Sequence, residues 1–469
     1  MMTAFVPSTT ARRPPAPRRS PFGFLDSLAT RRWVGRLPVF FLFLFLASVW
    51  TVSGVERFPP PEFEPGYQMP SLTTPLPRAN AMDWVDVGVL LATLSAASWA
   101  VLKMRSRRHI FGVMIFSLLY FGFYRQGCVC PIGAIQDVTL SLFNRGYAVP
   151  LTVLIFFLAP LLFTLAFGRS FCAAVCPLGA IQDVFLIKPV RMPMVLSHAL
   201  GMIPYFYLGT AILLAATGSA FIICKYDPFV AFFRRTGSLP MLMYGTGMLV
   251  VAIFIGRPYC RFLCPYGAIL RVLSRFSRWN VTLTPADCIQ CRLCDAACPF
   301  GAIEEPTAKP TMAGPRGTWG QLLGTLVMVP VLIGIFGWLG GRLAVPLSKF
   351  HPTVSLAEQI AAEEATRTVD TADATKAFRA TGKPIPELNV QALQIRQQFV
   401  FGSWLLGAFI GFALGAKCVA LAWGSPQTAY DPDTANCLAC GRCYTYCPKE
   451  IMRVKQSQKA ACEVCSSKP

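Results

Sequence analysis

Two stretches of the chain decide its fold, and each is built around four cysteines. They read Cys288-Ile-Gln-Cys291-Arg-Leu-Cys294-Asp-Ala-Ala-Cys298-Pro299 and Cys437-Leu-Ala-Cys440-Gly-Arg-Cys443-Tyr-Thr-Tyr-Cys447-Pro448. In this C-x2-C-x2-C-x3-C-P spacing, three thiolates wrap one iron–sulfur cubane and the fourth reaches the second cubane of a pair. The spacing predicts one 4Fe–4S cluster on Cys288, Cys291, Cys294 and Cys447, and another on Cys437, Cys440, Cys443 and Cys298. Four cysteines can also bind zinc, but two full copies that each end in proline favour the clusters.

The composition around these motifs is that of a membrane protein. Only 14% of the 469 residues are charged, whereas a soluble domain carries about a quarter. The mean hydropathy is +0.50, and the apolar residues lie in long runs. The net charge of +20 fits basic loops at a cytoplasmic membrane face, and no motif for nucleic-acid binding accompanies it. The 18 cysteines lie mostly in clusters followed by proline, which is unlike a secreted disulfide framework.

Runs of about 20 apolar residues predict the membrane spans. Eight candidates are found, at 33–53, 84–103, 110–124, 148–168, 204–223, 241–256, 319–340 and 399–423. We interpret the first as an uncleaved span, because it lacks a clear signal-peptide cleavage site. Placing both termini in the cytoplasm puts 29 of the 43 Lys and Arg residues on the inner side, as the positive-inside rule requires. Two spans separate the ferredoxin motifs, so both motifs lie on that side.

The expected fold is an all-α membrane bundle of about eight helices (six to eight) with a small α+β ferredoxin-like domain on the cytoplasmic side of a bacterial inner membrane. The expected segments are a disordered basic arm at 1–32, a bundle with Cys-Pro motifs at 33–279, the first half of the ferredoxin-like domain at 280–310, a span at 319–340, an extracytoplasmic loop at 341–398, a span at 399–423, the second half of the ferredoxin-like domain at 430–455 and a tail at 456–469.

A Cys-Pro-x-Gly-Ala-Ile element recurs along the chain. It begins at Cys130, Cys176, Cys264 and Cys298. Proline after the cysteine suits the first turn of a helix, whose N-terminus then faces the thiolate. Two copies extend to C-x3-C-P, and their cysteines are Cys172, Cys176, Cys260 and Cys264. These four residues, all expected on the inner side, could ligate a third Fe–S site, bind another metal, form a redox dithiol or remain unligated thiols at tight turns.

Three cysteines are expected at the outer ends of spans, namely Cys128, Cys130 and Cys224. Electrons from the inner clusters would otherwise face about 30 Å of hydrocarbon. We therefore predict that these cysteines help to hold iron near the outer face. A disulfide and plain packing are the alternatives.

Together, the paired C-x3-C-P motifs and the two ferredoxin motifs resemble the NapH/NosR-like family of membrane polyferredoxins over about residues 84–450. The resemblance implies electron transfer toward a periplasmic reductase or flavoprotein. In NosR-like members a flavin-bearing domain precedes the spans. Here the segment before the spans is too short for one and has no flavinylation-type threonine motif, so any flavin is expected on a partner.

The expected function is one-electron transfer within an oxidoreductase system, with redox partner proteins on both sides of the bilayer and no catalytic residues in this chain. A copper-handling or assembly factor for a respiratory enzyme and a quinol-oxidising subunit are the alternatives. His109, His198 and His351 lie in different loops, so no haem is expected. We interpret Cys418 as packed within the last span and Cys462 and Cys465 as exposed thiols of the tail.

Overall fold

The computed structural model describes residues 80–454 and 456, except 128–129, 145, 284–287, 307–315, 367–372, 423–428 and 455. The basic arm, the span predicted at 33–53, Cys128 and the tail cysteines Cys462 and Cys465 lie outside the described residues.

The described chain up to Phe276 is mostly helical. The helices are α1 (Asn80–Trp99), α2 (Arg107–Ser117), α3 (Pro131–Phe143), α4 (Leu151–Phe167), α5 (Pro177–Val184), α6 (Met194–Leu200), α7 (Ile203–Ala216), α8 (Ile222–Lys225), α9 (Val230–Arg234), α10 (Leu239–Phe254), α11 (Pro258–Phe262) and α12 (Pro265–Leu273). Wider π-helical turns continue α1 over Ala100–Met104 and α2 over Leu118–Tyr124, and a third covers Phe171–Val175. A 3-10 turn, Ser274–Phe276, follows α12.

The remaining elements include two very short strands. They are α13 (Leu293–Ala297), β1 (Ile303–Glu304), α14 (Arg316–Arg342), α15 (Ala344–Ser348), α16 (Pro352–Thr366), α17 (Asp373–Ala380), α18 (Ile385–Ala422), β2 (Asp431–Pro432) and α19 (Arg442–Tyr446). The strands pair antiparallel, with Ile303 opposite Pro432 and Glu304 opposite Asp431. This pairing joins the chain after the first ferredoxin motif to the chain before the second.

Three helical segments within the described residues are long and apolar enough to cross a membrane. They are Ala81–Met104, Met194–Ala216 and Ile385–Leu421, and shorter apolar helices cover Leu151–Phe167, Leu239–Phe254 and Leu326–Arg342. The mostly helical fold with apolar spans is therefore confirmed. The count of eight crossings and the cytoplasmic position of the ferredoxin-like domain stay predictions.

A unit of apolar helix, cysteine turn and short helix occurs four times. We call these units A (107–143), B (151–184), C (203–234) and D (239–273). In units A, B and D the short helix starts at the proline that follows the cysteine, because proline has no N–H to lose in the first turn. The short helix of unit A packs on α7 of unit C, and that of unit B packs on α10 and α11 of unit D. The fold thus pairs A with C and B with D.

Ion pairs and hydrogen bonds join the segments that were predicted to share the inner side. Arg105 Nη1 lies 2.6 Å from Glu450 Oε1, and Arg107 pairs with Asp183. Arg191 Nη2 lies 2.8 Å from Asp295 Oδ2. Described parts of the segments 103–109, 169–203, 257–318 and 417–469 therefore contact one another.

Close glycine contacts hold α14 against α18. A Cβ on Gly407 would lie 1.9 Å from the backbone oxygen of Phe336, and one on Gly411 would lie 2.4 Å from that of Leu332. Small residues four apart let two helix backbones approach in this way, as in membrane helix pairs. Between these helices, α16 packs on the start of α18 through a small core of Val354, Ile360 and Leu388. Helices α15, α16 and α17 thus lie within the segment 341–398, whose extracytoplasmic position stays a prediction.

Candidate metal centres

The cysteines at the predicted ferredoxin pair come together across the two motifs. Helices α13 and α19, which carry the middle of each motif, pack on each other. One cavity is lined by Cys298, Cys437, Cys440 and Cys443, which is the crossed set that the spacing predicted for one cluster. The structure thus brings Cys298 of the first motif to the triad of the second.

The complementary set lies beside it. Burial, together with the nearby thiols of Cys447 and Cys291, raises the pKa of Cys294 to about 11. Cys294 is buried, whereas Cys288 and Cys447 are half-buried and Cys291 is exposed. Cys447 of the second motif therefore lies beside the triad of the first.

The two ferredoxin loops have the same backbone conformation. Gln290 and Ala439 hold equivalent positions with φ of 50° and 51°, and Arg292 and Gly441 hold the next pair with φ of 61° and 72°. Three of these four residues are not glycine, and each costs free energy in the left-handed region. Such strain persists where a functional site requires it. The Sγ atoms also accept backbone hydrogen bonds, at 3.4 Å from Ala302 N to Cys298 and at 3.4 Å from Ala439 N to Cys437. These features fit thiolate ligands of a cluster.

The C-x3-C-P cysteines of units B and D form a second, deeper cluster of thiols. Cys172, Cys176, Cys260 and Cys264 are each no more than 9% exposed. The Cys176 thiol donates a hydrogen bond to Cys260, which raises the pKa of Cys176 and lowers the pKa of Cys260. Cys172 and Cys264 lie close enough for their charges to act on Cys176. We call these four residues the inner quartet.

Cationic and amide groups surround the inner quartet. Arg257 is fully buried and donates from Nη2 to the backbone oxygen of Ala173 at 3.0 Å. Gln182 donates to Cys260 Sγ at 3.4 Å and accepts from the backbone N–H of Tyr259 at 2.9 Å. Positive charge and hydrogen bonds to sulfur favour thiolates over thiols. The quartet is therefore suited to a negatively charged metal centre, with outer groups that orient its ligands.

One carboxylate links the inner quartet to the ferredoxin-like part. Asp183 is buried and pairs with Arg107, with Arg257 Nε at 3.5 Å and with Arg442 Nη2 at 3.6 Å. Arg107 also donates to the backbone oxygen of Cys440 at 3.0 Å. The sequence repeat contained this residue, in Gln182-Asp183, but its position in the repeat did not reveal its partners. An acidic residue in a region between basic loops was the sequence signal that could have identified Asp183 as a partner of several arginines.

Of the three cysteines predicted near the outer face, the described residues include two, Cys130 and Cys224. Gln136 accepts hydrogen bonds from the backbone N–H of Ile223 at 2.9 Å and of Cys224 at 3.4 Å. Gln182 makes the same contact to the residue before Cys260. The position of Cys130 relative to Cys224, in units A and C, is therefore equivalent to that of Cys176 relative to Cys260, in units B and D.

The other predicted residues are dispersed. His109 lies in α2, His198 in α6 and His351 just before α16, while Cys418 lies half-buried in α18. Within the described ranges, no group of three or more His, Cys, Asp or Glu side chains is placed to hold a single metal ion.

Comparison with known proteins supports an iron–sulfur role. Models of the 4Fe-4S binding domain match residues 110–150, 149–191 and 239–284, and a second such model matches 281–304. The first three segments cover units A, B and D, and the fourth covers the first ferredoxin motif. No solved structure matches the chain.

Curated relatives share segments of this chain. Protein NirI of Paracoccus denitrificans is 29% identical over 123 residues, which are 25% of this chain and 18% of NirI. The putative electron transport protein YccM of Escherichia coli is 37% identical over 68 residues, which are 14% of this chain and 19% of YccM. An uncharacterized protein of Methanocaldococcus jannaschii is 27% identical over 207 residues, 42% of this chain and 83% of that protein.

The chain thus spans less than a fifth of the length of each of the first two relatives. The matches to the 4Fe-4S binding domain models nevertheless fall on units A, B and D. The chain is therefore a membrane-associated 4Fe–4S protein related to NirI and YccM, and the resemblance to the NapH/NosR-like polyferredoxins is confirmed.

Proposed function

We propose that this chain carries single electrons through a membrane, between 4Fe–4S clusters at its cytoplasmic side and an acceptor at the other side. Bound clusters supply the redox chemistry, while the protein sets distance, burial and hydrogen bonds to sulfur. The two crossed cysteine sets would hold the pair of 4Fe–4S clusters, and the inner quartet would hold a third centre.

The continuity of the cysteine groups is the observation that carries this proposal. Arg169 donates to the backbone oxygen of Ala435, beside the second ferredoxin motif, at 3.2 Å. The same guanidinium lies 3.8 Å from Cys172 Sγ of the inner quartet. A single side chain therefore bridges the ferredoxin-like part and the inner quartet.

The inner quartet is in turn close to the thiols of units A and C. Tyr259, next to Cys260, packs its ring on Phe229 of unit C with 5.7 Å between ring centroids. Cys130 lies near enough to Cys264 to affect the pKa of that thiol, which burial raises most. In the proposed arrangement, these groups would divide a hydrocarbon layer of about 30 Å into shorter steps.

The distribution of Lys and Arg residues and the exposure of Cys224 support the proposed orientation of the chain in the membrane. The inner-side segments that contact one another carry most of the described Lys and Arg residues, as expected of a cytoplasmic face. At the other group of thiols, Cys224 is exposed. We infer that a periplasmic reductase or flavoprotein receives electrons there, and that a second redox partner serves the ferredoxin-like part.

Anaerobic purification with iron, sulfide and EPR measurements tests the metal content. Two 4Fe–4S clusters account for about eight irons per chain, and a count above this is expected from the inner quartet. The variant Cys260→Ala should lose the excess iron and keep the ferredoxin signals. Cys443→Ala should lose a 4Fe–4S signal, while Cys418→Ala, on α18, serves as the matched control with unchanged iron.

Electron transfer itself is tested in sealed proteoliposomes that contain ferricyanide, with dithionite added outside. The cluster-loaded protein should reduce the internal ferricyanide faster than protein-free liposomes, and Cys260→Ala should slow this reaction while Cys418→Ala should not. A loaded protein that gives no transfer above protein-free liposomes would contradict the proposal. Reduction by quinol alone would instead favour a quinol-oxidising subunit, and copper in place of iron would favour a copper-handling factor.

A further inference from the structure

The four helical units differ in the residue that precedes their proline. Units A, B and D have Cys130-Pro131, Cys176-Pro177 and Cys264-Pro265 at this position. Unit C has Asp227-Pro228, three residues after Cys224. An aspartate thus occupies the place of the proline-linked cysteine in unit C.

The hydrogen bond to the Asp227 side chain resembles the one to Cys264 in unit D. Asp227 Oδ1 accepts a hydrogen bond from the backbone N–H of Phe229 at 2.9 Å, and Cys264 Sγ accepts one from Gly267 at 3.3 Å. In both cases the side chain lies at the start of a helix turn and receives N–H groups. Asp227 is only 5% exposed, which is unusual for an acidic side chain, and backbone N–H groups and the charge of Arg234 stabilise its charged form.

The thiols of units A and C lie close to this carboxylate. Burial, together with the charges of Asp227 and Cys224, raises the pKa of Cys130 to about 12. A Cβ on Gly133 would lie 3.1 Å from Cys224 Sγ, just as one on Gly179 would lie 3.6 Å from Cys260 Sγ. The same glycine position therefore makes room for a thiol in both paired units.

We propose that Asp227, together with Cys130 and Cys224, ligates an iron–sulfur centre with mixed carboxylate and thiolate ligation, paired by pseudo-symmetry with the inner quartet. We call this the outer centre. This inference rests on the proposed function and extends it, because it assigns a ligand to the last redox centre before the acceptor. The described side chains do not converge as ligands of a single metal ion, and the centre proposed here is therefore a cluster and not a mononuclear site.

The chemistry of the ligands separates this centre from the inner quartet. Carboxylate is a harder ligand than thiolate and binds iron less covalently. Reduction potentials of Fe–S centres depend on ligand type, net charge and solvent exposure. The carboxylate ligand should therefore give the outer centre a different reduction potential from the inner quartet. The exposed Cys224 should make the outer centre more accessible to a partner protein.

The other role available to Asp227 is to cap the short helix α9. Asparagine caps helices about as well as aspartate, so Asp227→Asn keeps this role and removes the charged ligand. Asp227→Cys restores a thiolate at the same position. The two variants thus separate ligation from capping.

The test is iron counting and EPR redox titration on anaerobically purified full-length protein. Asp227→Asn and Cys130→Ala should each lose the same EPR signal and the same iron, with the ferredoxin-pair and inner-quartet signals unchanged. Asp227→Cys should keep the iron but shift the g values and midpoint potential of that signal. Asp137→Asn, the aspartate next to Gln136 in unit A, serves as the control and should match the wild type.

Wild-type iron and spectra in Asp227→Asn would overturn the inference and leave Asp227 as a helix cap. Zinc in place of iron at this position would overturn it as well. These outcomes differ from failure of the proposed function, because a protein can bind the outer centre and still fail to transfer electrons in proteoliposomes. Conversely, transfer that survives in Asp227→Asn with an unchanged spectrum would leave the function standing without this ligand.

Discussion

Replacing Asp183 by asparagine should detach the ferredoxin-like part from the inner quartet. The carboxylate is fully buried and pairs with Arg107, Arg257 and Arg442. Arg107 and Arg442 belong to the contacts around Cys440, whereas Arg257 lies against the quartet. The asparagine side chain has nearly the same shape but cannot balance these charges.

Two arguments give the expected loss of unfolding free energy in Asp183→Asn. Burial raises the pKa of Asp183, but the three guanidinium groups lower it more, and the pKa falls from 3.8 to about 2. This difference corresponds to about 2.5 kcal/mol in favour of the folded state. Because the folded pKa is the lower one, that contribution is complete above pH 4 and disappears as the pH falls toward about 2. Asparagine also removes the carboxylate that pairs with the buried Arg257, and breaking a buried pair costs about 3–5 kcal/mol.

The assay is denaturant unfolding of the cluster-loaded protein in detergent, followed by tryptophan fluorescence and by loss of the visible cluster absorbance. We expect Asp183→Asn to lower the free energy of unfolding by about 3–5 kcal/mol at neutral pH and to release clusters faster. Asp137→Asn is the matched control, because Asp137 holds the equivalent position in unit A. Asp137 is half-buried and accepts a hydrogen bond from the Tyr147 hydroxyl at 3.2 Å.

That control should change the free energy of unfolding by less than about 1 kcal/mol. Equal stability of Asp183→Asn and wild type would refute the argument, since it would mean that the three arginines do not depend on this carboxylate. Equal losses in the two variants would refute it too, because they would point to a general effect of the repeat position.

Two further substitutions test the packing. Gly407→Ala should separate α14 from α18 and lower the unfolding free energy, because its Cβ would lie 1.9 Å from the backbone oxygen of Phe336. Thermal unfolding in detergent measures this. Gln182→Ala should cost about 1–3 kcal/mol, because it leaves the buried N–H of Tyr259 without an acceptor, and it should shift the EPR signal of the inner quartet.

Each of these variants has a matched control substitution elsewhere in the chain. Gly334 lies in α14 with nothing near its Cβ position, so Gly334→Ala should be neutral or should stabilise by about 0.5–1 kcal/mol. Gln391 is exposed on α18, and Gln391→Ala should leave both stability and spectra unchanged. Unaltered unfolding of Gly407→Ala, or an unshifted quartet signal in Gln182→Ala, would show that the contacts are not needed.

Much of the candidate site was predictable from local pattern. The crossed ferredoxin sets follow from the C-x2-C-x2-C-x3-C-P spacing, because three thiolates within seven residues can face one cubane while the fourth points away. The cavity lined by Cys298 and the Cys437 triad has the predicted membership. Whether these side chains ligate clusters stays a prediction.

The pairing of the helical units could not be predicted from the sequence pattern. The sequence revealed the repeated Cys-Pro-x-Gly-Ala-Ile element but not its partners, because a contact between Gln182 and Tyr259 spans 77 residues. Asp227 escaped notice for a related reason: in the sequence, Asp-Pro resembles an ordinary turn. Only its burial beside Cys130 and Cys224 distinguishes it.

The sequence by itself determined the class of cofactor, the apolar helices and the residues that meet at each ferredoxin set, since short spacing and hydrophobic length are local properties that constrain geometry directly. The tertiary structure decided which units pair, which arginines surround Asp183 and how the cysteine groups follow one another. These features depend on packing between helices far apart in the chain, and many partners could satisfy the same local pattern. Only the folded arrangement selects one of them.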